Sequence, residues 1–341
     1  YHIQQGDSLK LKLGISNIEG LKSDSIKVRY NIIKNDRTQI GSYLNTLPPL
    51  DVNQSDIINF SYSTVSLVDS NLLQIFIEPK SLQDKISYNN QISYPFYVQA
   101  DRKAPIVDIL FDGQRIVNGE TVSPKPQITI SVTDENNFLL LNDTSSVEVH
   151  LLNENTNINK RISFSSQQLS LQSSGEPGRN KANYIFNPEV LEDAVYTLKV
   201  RSKDKLGNYV TSNDYEISFE VINEESISNF LPYPNPFTTS MRFVFKVTGQ
   251  KVPDKIKVQI MTATGKIVRE ILKEELGNIR IGNNISDFKW DGTDAFGDRL
   301  ANGVYFYRVL IENNDKSEIK HKALAADSMF KKSFGKIYLM R

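Results

Sequence analysis

Residues 255–271 read KIKVQIMTATGKIVREI, and this stretch decides the fold class. Its first half alternates apolar and polar side chains, which is the period of a strand that buries one face. Thr264-Gly265-Lys266 then interrupts the alternation with residues that favour a tight turn. The pattern predicts a β-hairpin, with strands over Lys255–Met261 and Ile267–Ile271.

The same alternation recurs along the rest of the chain. It is clear at residues 9–15, 26–30, 128–132 and 196–200, and Gly, Pro, Asn and Asp punctuate the intervals. No long stretch has a helical period. Short strands at such intervals are typical of β-sandwiches. We therefore predict an all-β protein.

Two polar runs divide the chain into three modules. Residues 100–105 end in a proline, and residues 223–226 read NEES. Both runs resemble linkers between separately cored units. The predicted domains are three tandem sandwiches over 1–99, 100–223 and 224–341. In the first module, strands are expected near 8–16, 25–33, 56–64, 71–78 and 91–98.

The composition excludes several classes of function. Lys plus Arg and Asp plus Glu both number 40, so the net charge is zero and no nucleic-acid partner is expected. The chain has no cysteine, which excludes a thiol nucleophile, a disulfide or a thiolate metal site within it. His2, His150 and His321 lie outside any catalytic or metal motif, so we expect no enzyme in this chain. Because the chain begins at Tyr1 rather than Met, it is expected to be part of a longer or processed protein.

Loop carboxylates of the second module raise the question of calcium. Asp134, Glu135, Asp143 and Asp204 could supply the oxygen ligands that this ion prefers. They follow no EF-hand or other spaced ligand pattern, and solvated loop carboxylates are the alternative interpretation. We predict no metal site and no cofactor.

The terminal module opens with a proline-rich segment, LPYPNPF, at residues 231–237. Proline fixes φ and pushes the preceding residue to extended backbone, so this segment is predicted to be stiff and extended. Tyr233 and Phe237 are expected to fill the core. Trp290, which is the only tryptophan, and Phe306 are also expected in the core.

Five motifs of the terminal module carry a resemblance to known proteins. In order they are YPNPF (233–237), TGK (264–266), WDGTDAFG (290–297), ANGVYFYR (301–308) and GKIYLMR (335–341). This order resembles the C-terminal sorting domains of Bacteroidetes type IX secretion. It is equally similar to the related immunoglobulin-like domain of the flagellar hook-capping protein.

A wider pattern extends the resemblance. Residues 253–261, 281–285 and 330–336 are similar to the C-terminal region of large gingipain-family cysteine peptidase-like proteins, which are relatives of the sortase of that secretion system. Their catalytic domain would lie upstream of Tyr1. One departure is Glu312–Ser333, which separates the last two predicted strands where sorting domains have a short turn. The terminal module is then either cleaved, as cargo domains are, or retained as a docking domain.

The first two modules carry looser resemblances. Asn71–Pro79 followed by Tyr88-Asn89-Asn90 resembles adhesion-related immunoglobulin-like modules of bacterial surface proteins. Asn89-Asn90 is alternatively a simple turn. Residues 199–208, KVRSKDKLGN, resemble the end of bacterial immunoglobulin-like spacers.

The resemblance implies a function in export. Such a terminal domain directs the protein through the type IX outer-membrane translocon and docks on a shuttle β-barrel, which would place the protein at the cell surface, associated with the outer membrane of a Gram-negative Bacteroidetes-type bacterium. The last strand is expected to offer a free edge for strand addition. The alternative is that the Pro-Asn-Pro segment and the last strand only complete the sandwich. The predicted partner-binding residues are Pro234, Asn235, Pro236, Gly335, Lys336, Ile337, Tyr338, Leu339, Met340 and Arg341. The alternative is an adhesive tail that binds a surface glycan or lipopolysaccharide, which predicts aromatic side chains clustered in a surface groove.

Overall fold

The computed structural model of the chain describes residues 1–18, 20–79, 87–209, 214–313, 320–322 and 334–341. Strands are the dominant secondary structure of the described residues, with very little helix, and they form five larger sheets and one two-stranded sheet. Three hydrophobic clusters fill the interior, drawn from residues 3–98, 109–221 and 227–339. The predicted fold class, three tandem immunoglobulin-like β-sandwiches, is confirmed. The domain boundaries at 99/100 and 223/224 stay predictions.

The first module pairs a five-stranded sheet with a two-stranded one. Their orders are β1-β7-β6-β3-β4 and β2-β5. A turn of 3-10 helix, Ser87–Asn90, precedes the last strand. The strands are β1 (His2–Gln4), β2 (Ser8–Ser16), β3 (Ile26–Ile33), β4 (Gln39–Leu47), β5 (Ser55–Ser63), β6 (Asp69–Pro79) and β7 (Gln91–Gln99).

The second module packs a four-stranded sheet, β13-β14-β10-β8, on a five-stranded one, β12-β11-β15-β16-β9. Two further turns of 3-10 helix lie at Thr144–Ser146 and Phe164–Ser166. The strands are β8 (Ile106–Phe111), β9 (Glu120–Val122), β10 (Ile128–Thr133), β11 (Val147–Asn153), β12 (Ile158–Ile162), β13 (Leu169–Ser173), β14 (Lys181–Phe186), β15 (Ala194–Ser202) and β16 (Tyr215–Val221).

The terminal module has two four-stranded sheets, β21-β18-β17-β23 and β20-β19-β22-β24. The predicted hairpin is confirmed, because β19 and β20 pair antiparallel around the turn at 262–266. The elements are β17 (Ser226–Tyr233), β18 (Arg242–Thr248), β19 (Lys255–Met261), β20 (Ile267–Leu272), α1 (Lys273–Leu276), β21 (Gly282–Ile285), β22 (Gly303–Glu312), β23 (Lys320–Lys322) and β24 (Gly335–Leu339). Of the predicted insertion Glu312–Ser333, only 312–313 and 320–322 belong to the described residues.

Two strands of the first module escape the sequence pattern. The five predicted strands match β2, β3, β5, β6 and β7 closely, whereas β1 and β4 were not predicted. β4 reads QIGSYLNTL, and most of its side chains are exposed on both faces. A strand without a buried face has no reason to alternate, so periodicity does not reveal it.

The first two modules meet through a network of amide side chains. The Asn136 side-chain amide donates to the Gln5 carbonyl at 3.0 Å and to the Asp101 carboxylate at 2.8 Å. The Asn208 amide donates to the Asp101 carbonyl at 3.0 Å. Asn136 is fully buried, so water does not compete for these hydrogen bonds. They fix residue 101 of the linker to both modules.

The second and third modules meet through two ion pairs. Arg280 lies 3.0 Å from the buried carboxylate of Glu120, and Lys246 lies 2.9 Å from Glu220. At Gly282 a Cβ atom would come within 2.4 Å of the Thr121 carbonyl oxygen. Only glycine permits so close an approach of the two backbones. The terminal module is therefore docked directly on the second module.

Candidate docking site at the last strand

The last strand, β24, lies at the edge of its sheet, and its inner face closes the core. It pairs antiparallel with β22, from Gly303–Leu339 to Tyr307–Gly335. Ile337 and Leu339 are buried at 0% and 1% exposure. Lys336 and Met340 point outward and are exposed. The strand thus presents alternate side chains to the core and to solvent, as the pleat requires.

The outer edge of β24 is closed rather than free. The Asn235 side-chain amide donates to the Lys336 carbonyl at 3.0 Å, and the Tyr338 N–H donates to the Asn235 side-chain oxygen at 2.8 Å. The Phe237 N–H donates to the Tyr338 carbonyl at 3.0 Å, and the Met340 N–H donates to the Phe237 carbonyl at 2.9 Å. The expectation of an open edge for strand addition is therefore wrong for these groups.

The chemistry of the Pro-Asn-Pro segment explains this closure. Pro234 and Pro236 have no N–H and cannot continue a ladder of backbone hydrogen bonds. Both of their peptide bonds are cis. The carboxamide of Asn235 carries one donor group and one acceptor group, like a peptide unit. It takes the place of the missing backbone partner, and Phe237 resumes the pairing in parallel with Leu339.

Arg341 is held by two other motifs. Its N–H donates to the Asn302 side-chain oxygen at 2.9 Å, and the Asn302 amide donates back to the Arg341 carbonyl at 3.0 Å. Its guanidinium donates to the Asp291 carbonyl oxygen. The Thr293 hydroxyl donates to the Asp291 carboxylate at 2.7 Å, and this bond lowers the pKa of Asp291, with a further contribution from the Arg341 charge. The carboxylate therefore stays ionised next to Arg341.

Two glycines of the motifs make room for this arrangement. A Cβ atom on Gly335 would lie 2.1 Å from the Tyr307 ring, which packs across the strand. A Cβ atom on Gly292, where φ is +78°, would lie 2.9 Å from Leu339. Real Cβ contacts are essentially never as short as that at Gly335, and at Gly292 the left-handed backbone conformation itself favours glycine. The Gly335 motif position is thus explained by packing.

Aromatic rings form the floor beneath the strand. Trp290 is 1% exposed, and its ring centroid lies 5.6 Å from that of Phe237 and 5.8 Å from that of Tyr305. The predicted core positions of Phe237 and Trp290 are confirmed. Phe306 is only half-buried, because it lies on the opposite face of β22 from Tyr305. Tyr233 is 65% exposed, so its expected core position is wrong.

The structure brings together motifs that are far apart in sequence. Segments 233–237, 290–293 and 300–307 all contact β24 or Arg341. The hairpin turn at 264–266 is instead closed within its own strands, where the Thr262 N–H donates to the Lys266 carbonyl at 2.9 Å. Sequence analysis missed Asn302, although its place before Gly303 in the ANG motif was visible. Asp291 accepts the hydrogen bond from Arg341 through its backbone carbonyl oxygen. Because every residue has such a group, the sequence could not point to this contact.

Other candidate chemistry is dispersed. The three histidines lie on three different modules, in β1, β11 and β23. Asp143 pairs with Lys205, and the Asp204 carboxylate accepts from backbone N–H groups of its own turn. Within the described residues, no group of three or more His, Asp or Glu side chains is arranged to hold a metal ion. No helix among them has the length and hydropathy needed to cross a membrane.

The groove on the second module does not have the form expected of a glycan site. It has a volume of about 470 Å³ and lies between residues 104–107 and the strands β15 and β16. Only one aromatic residue, Tyr215, lines it. Glycan grooves were expected to carry several aromatic rings, so nothing here favours that alternative.

Among the comparisons with known proteins, the family match concerns the terminal module. Residues 234–315 match the FlgD Ig-like domain. No curated protein sequence matches the chain. Among solved structures, dimeric latent PorU from Porphyromonas gingivalis is 14% identical with a TM-score of 0.27 and covers 95% of this chain.

Two further solved structures are similar at the same low level. The chicken CNTN1 FN1–FN3 domains are 9% identical, with a TM-score of 0.24, and the matches cover 96% of this chain and 98% of that one. The major pilin subunit BcpA of Bacillus cereus is 10% identical, with a TM-score of 0.22, and the matches cover 97% and 96%. The chain spans about a third of the PorU chain, 32%. Such low TM-scores carry no argument about function.

Proposed function

We propose that the terminal module, residues 224–341, is a type IX export and docking module that follows two immunoglobulin-like spacers. The observation that carries the proposal is that three of the resembling motifs, at 233–237, 290–297 and 301–308, converge on the fourth, the last strand. Asn235, Phe237, Asn302 and Asp291 all bind β24 or Arg341. A receptor that reads the last strand would therefore read a surface that depends on every one of these motifs.

The family match gives independent support. It covers residues 234–315, which include Asn235, Phe237, Asp291 and Asn302 but end before β24. The match therefore covers the residues that contact the last strand, and not the strand itself. The strand itself adds the remaining motif, GKIYLMR.

The closed edge changes the proposed mode of recognition. Because Asn235 and Phe237 already occupy the outer backbone groups, the partner would read side chains instead of adding a strand. Gly335, Ile337 and Leu339 are buried and would act by holding the shape. Pro234, Pro236, Lys336, Met340 and Arg341 are exposed and would contact the translocon or the shuttle barrel, with Tyr338 and Asn235 half-buried between them.

The location follows from the same proposal. A protein exported by this route is placed at the cell surface and associates with the outer membrane. The first two modules would serve as spacers that extend away from that attachment. Their contacts through Asn136 and Arg280 would make these spacers stiff.

The test is affinity capture of the full-length protein from outer membranes of its source bacterium. Met340→Asp places a charge on an exposed side chain, 57% accessible, without touching the core. Wild type should co-purify with an outer-membrane β-barrel, and Met340→Asp should lose it. Ile158→Asp, on the second module and 64% exposed, is the matched control and should retain the barrel. Equal barrel recovery with both variants would overturn the proposed docking site.

A further inference from the structure

The edge strand β4 of the first module is unusually open. It pairs with β3 over eight residues, and no other described strand pairs with its outer side. It is nine residues long, which exposes a long row of unpaired N–H and C=O groups. Such a row is a template for another strand.

β4 also lacks the usual protection of an edge. Proteins blunt exposed edges with charged side chains, proline, bulges or short length. β4 contains no Asp, Glu, Lys, Arg or Pro, and its one register shift lies at its end, between Ile32 and Ile33 of its partner. Every other described edge strand of six residues or more carries charge: Lys10 and Lys12 in β2, Asp56 in β5, Asp108 in β8, and Arg269 and Glu270 in β20.

The edge is held in a fixed shape. The Tyr43 ring lies 5.6 Å from the Tyr62 ring, which tethers β4 to the opposite sheet. Tyr43 pairs with Tyr30, which is buried at 1% exposure. Tyr43 and Leu44 are nevertheless 47% and 54% exposed. The strand is ordered for pairing before any partner arrives, which lowers the entropic cost of binding.

The absence of charged side chains on β4 favours pairing with a second copy of the same strand. When a strand pairs antiparallel with its own copy about a two-fold axis, any charged residue near the axis meets a like charge. β4 is neutral throughout, and the nearest charged side chain on the face of Leu44, Arg29, is neutralised by Glu78 at 2.9 Å. We propose that β4 pairs antiparallel with β4 of a second copy of this chain, so that two five-stranded sheets become one continuous sheet.

The test is sedimentation equilibrium of the full chain over a wide range of concentration. Wild type should show a reversible monomer–dimer equilibrium. Leu44→Lys puts a charge at the centre of the edge, and we expect it to weaken association about tenfold or more, because like charges then face each other across the axis. Ile158→Lys, an equally exposed apolar position on the charged edge strand β12, should leave association unchanged.

A mixing experiment separates a pairing defect from misfolding. Leu44→Lys and Leu44→Glu should each be monomeric alone and should associate when mixed, because opposite charges then face each other. Wild type that stays monomeric at every concentration would overturn the proposal. So would a dimer that Leu44→Lys leaves intact, or a mixture in which the two charged variants do not associate.

Discussion

Asp134 is a buried carboxyl group with other carboxylates close by, and its replacement by Asn has a calculable effect. Its side chain is 6% exposed at the junction of the first two modules. One carboxylate oxygen accepts from the Asn136 N–H at 2.7 Å, and the other is buried without a hydrogen-bond partner. The pKa of Asp134 is raised from 3.8 to about 6, mainly by burial; the Asn136 N–H opposes the rise, and the negative charges of Asp101, Asp204 and Glu135 contribute to it.

The shift sets both the sign and the size of the effect. The folded protein holds the proton more tightly than the unfolded chain, so stability is fully present below about pH 4 and falls as the pH rises to about 6. A difference of about two pKa units corresponds to about 3 kcal/mol. Asp134→Asn cannot ionise and keeps the acceptor for Asn136. We therefore expect it to be more stable than wild type near pH 7, by up to about 3 kcal/mol, with the gain vanishing near pH 4.

The assay must measure the stability of the second module, which contains Asp134. Trp290 lies in the terminal module, so tryptophan fluorescence would miss the change. Calorimetry of wild type and Asp134→Asn across the pH range is suitable. Asp143→Asn is the control of opposite sign, because the side-chain bond from Lys205 lowers the pKa of Asp143 to about 2, so that variant should lose stability near neutral pH.

Two results would refute this reasoning. The first is an Asp134→Asn variant whose stability follows the same pH profile as wild type. The second is a wild type that gains stability from added calcium while Asp134→Asn does not, because the carboxylate would then be balanced by a cation rather than left unpaired.

Two other predictions concern the terminal module. Gly335→Ala should lower the stability of this module by about 1–3 kcal/mol, because the added carbon would overlap the Tyr307 ring; Trp290 fluorescence during urea unfolding measures this, and a variant that unfolds at the same urea concentration as wild type would contradict it. Arg280→Ala should leave the Glu120 carboxylate buried without its cation, at a cost of about 1–3 kcal/mol in stability. Small-angle scattering should then show greater freedom between the second and terminal modules. An unchanged scattering profile would argue against a role of this ion pair in holding the two modules together.

The sequence predicted the strands whose apolar residues alternate regularly. It did not predict features that depend on contacts between distant segments. Alternation revealed the hairpin of β19 and β20, since each strand buries one face. It did not reveal β4, which buries neither. Tyr233 was misplaced because it ends β17 on the face opposite to that of the buried residues Phe230 and Pro232.

The candidate site shows the same limit. The motifs could be recognised in sequence, and their order suggested a terminal module. That Asn235 closes the outer edge of β24 could not be foreseen, because it joins residues about a hundred positions apart. Local sequence carries no record of which backbone groups a distant side chain will satisfy.

The central claim is that the exposed face of the last strand directs export and docking. Lys336→Glu combined with Met340→Asp changes only exposed side chains of that strand, so the module should still fold, as Trp290 fluorescence can verify. The most direct measurement is the fraction of full-length protein on the surface of intact cells, detected by protease accessibility. We expect wild type to be surface-exposed and the folded double variant to accumulate in the periplasm. Normal surface display of the double variant would contradict it.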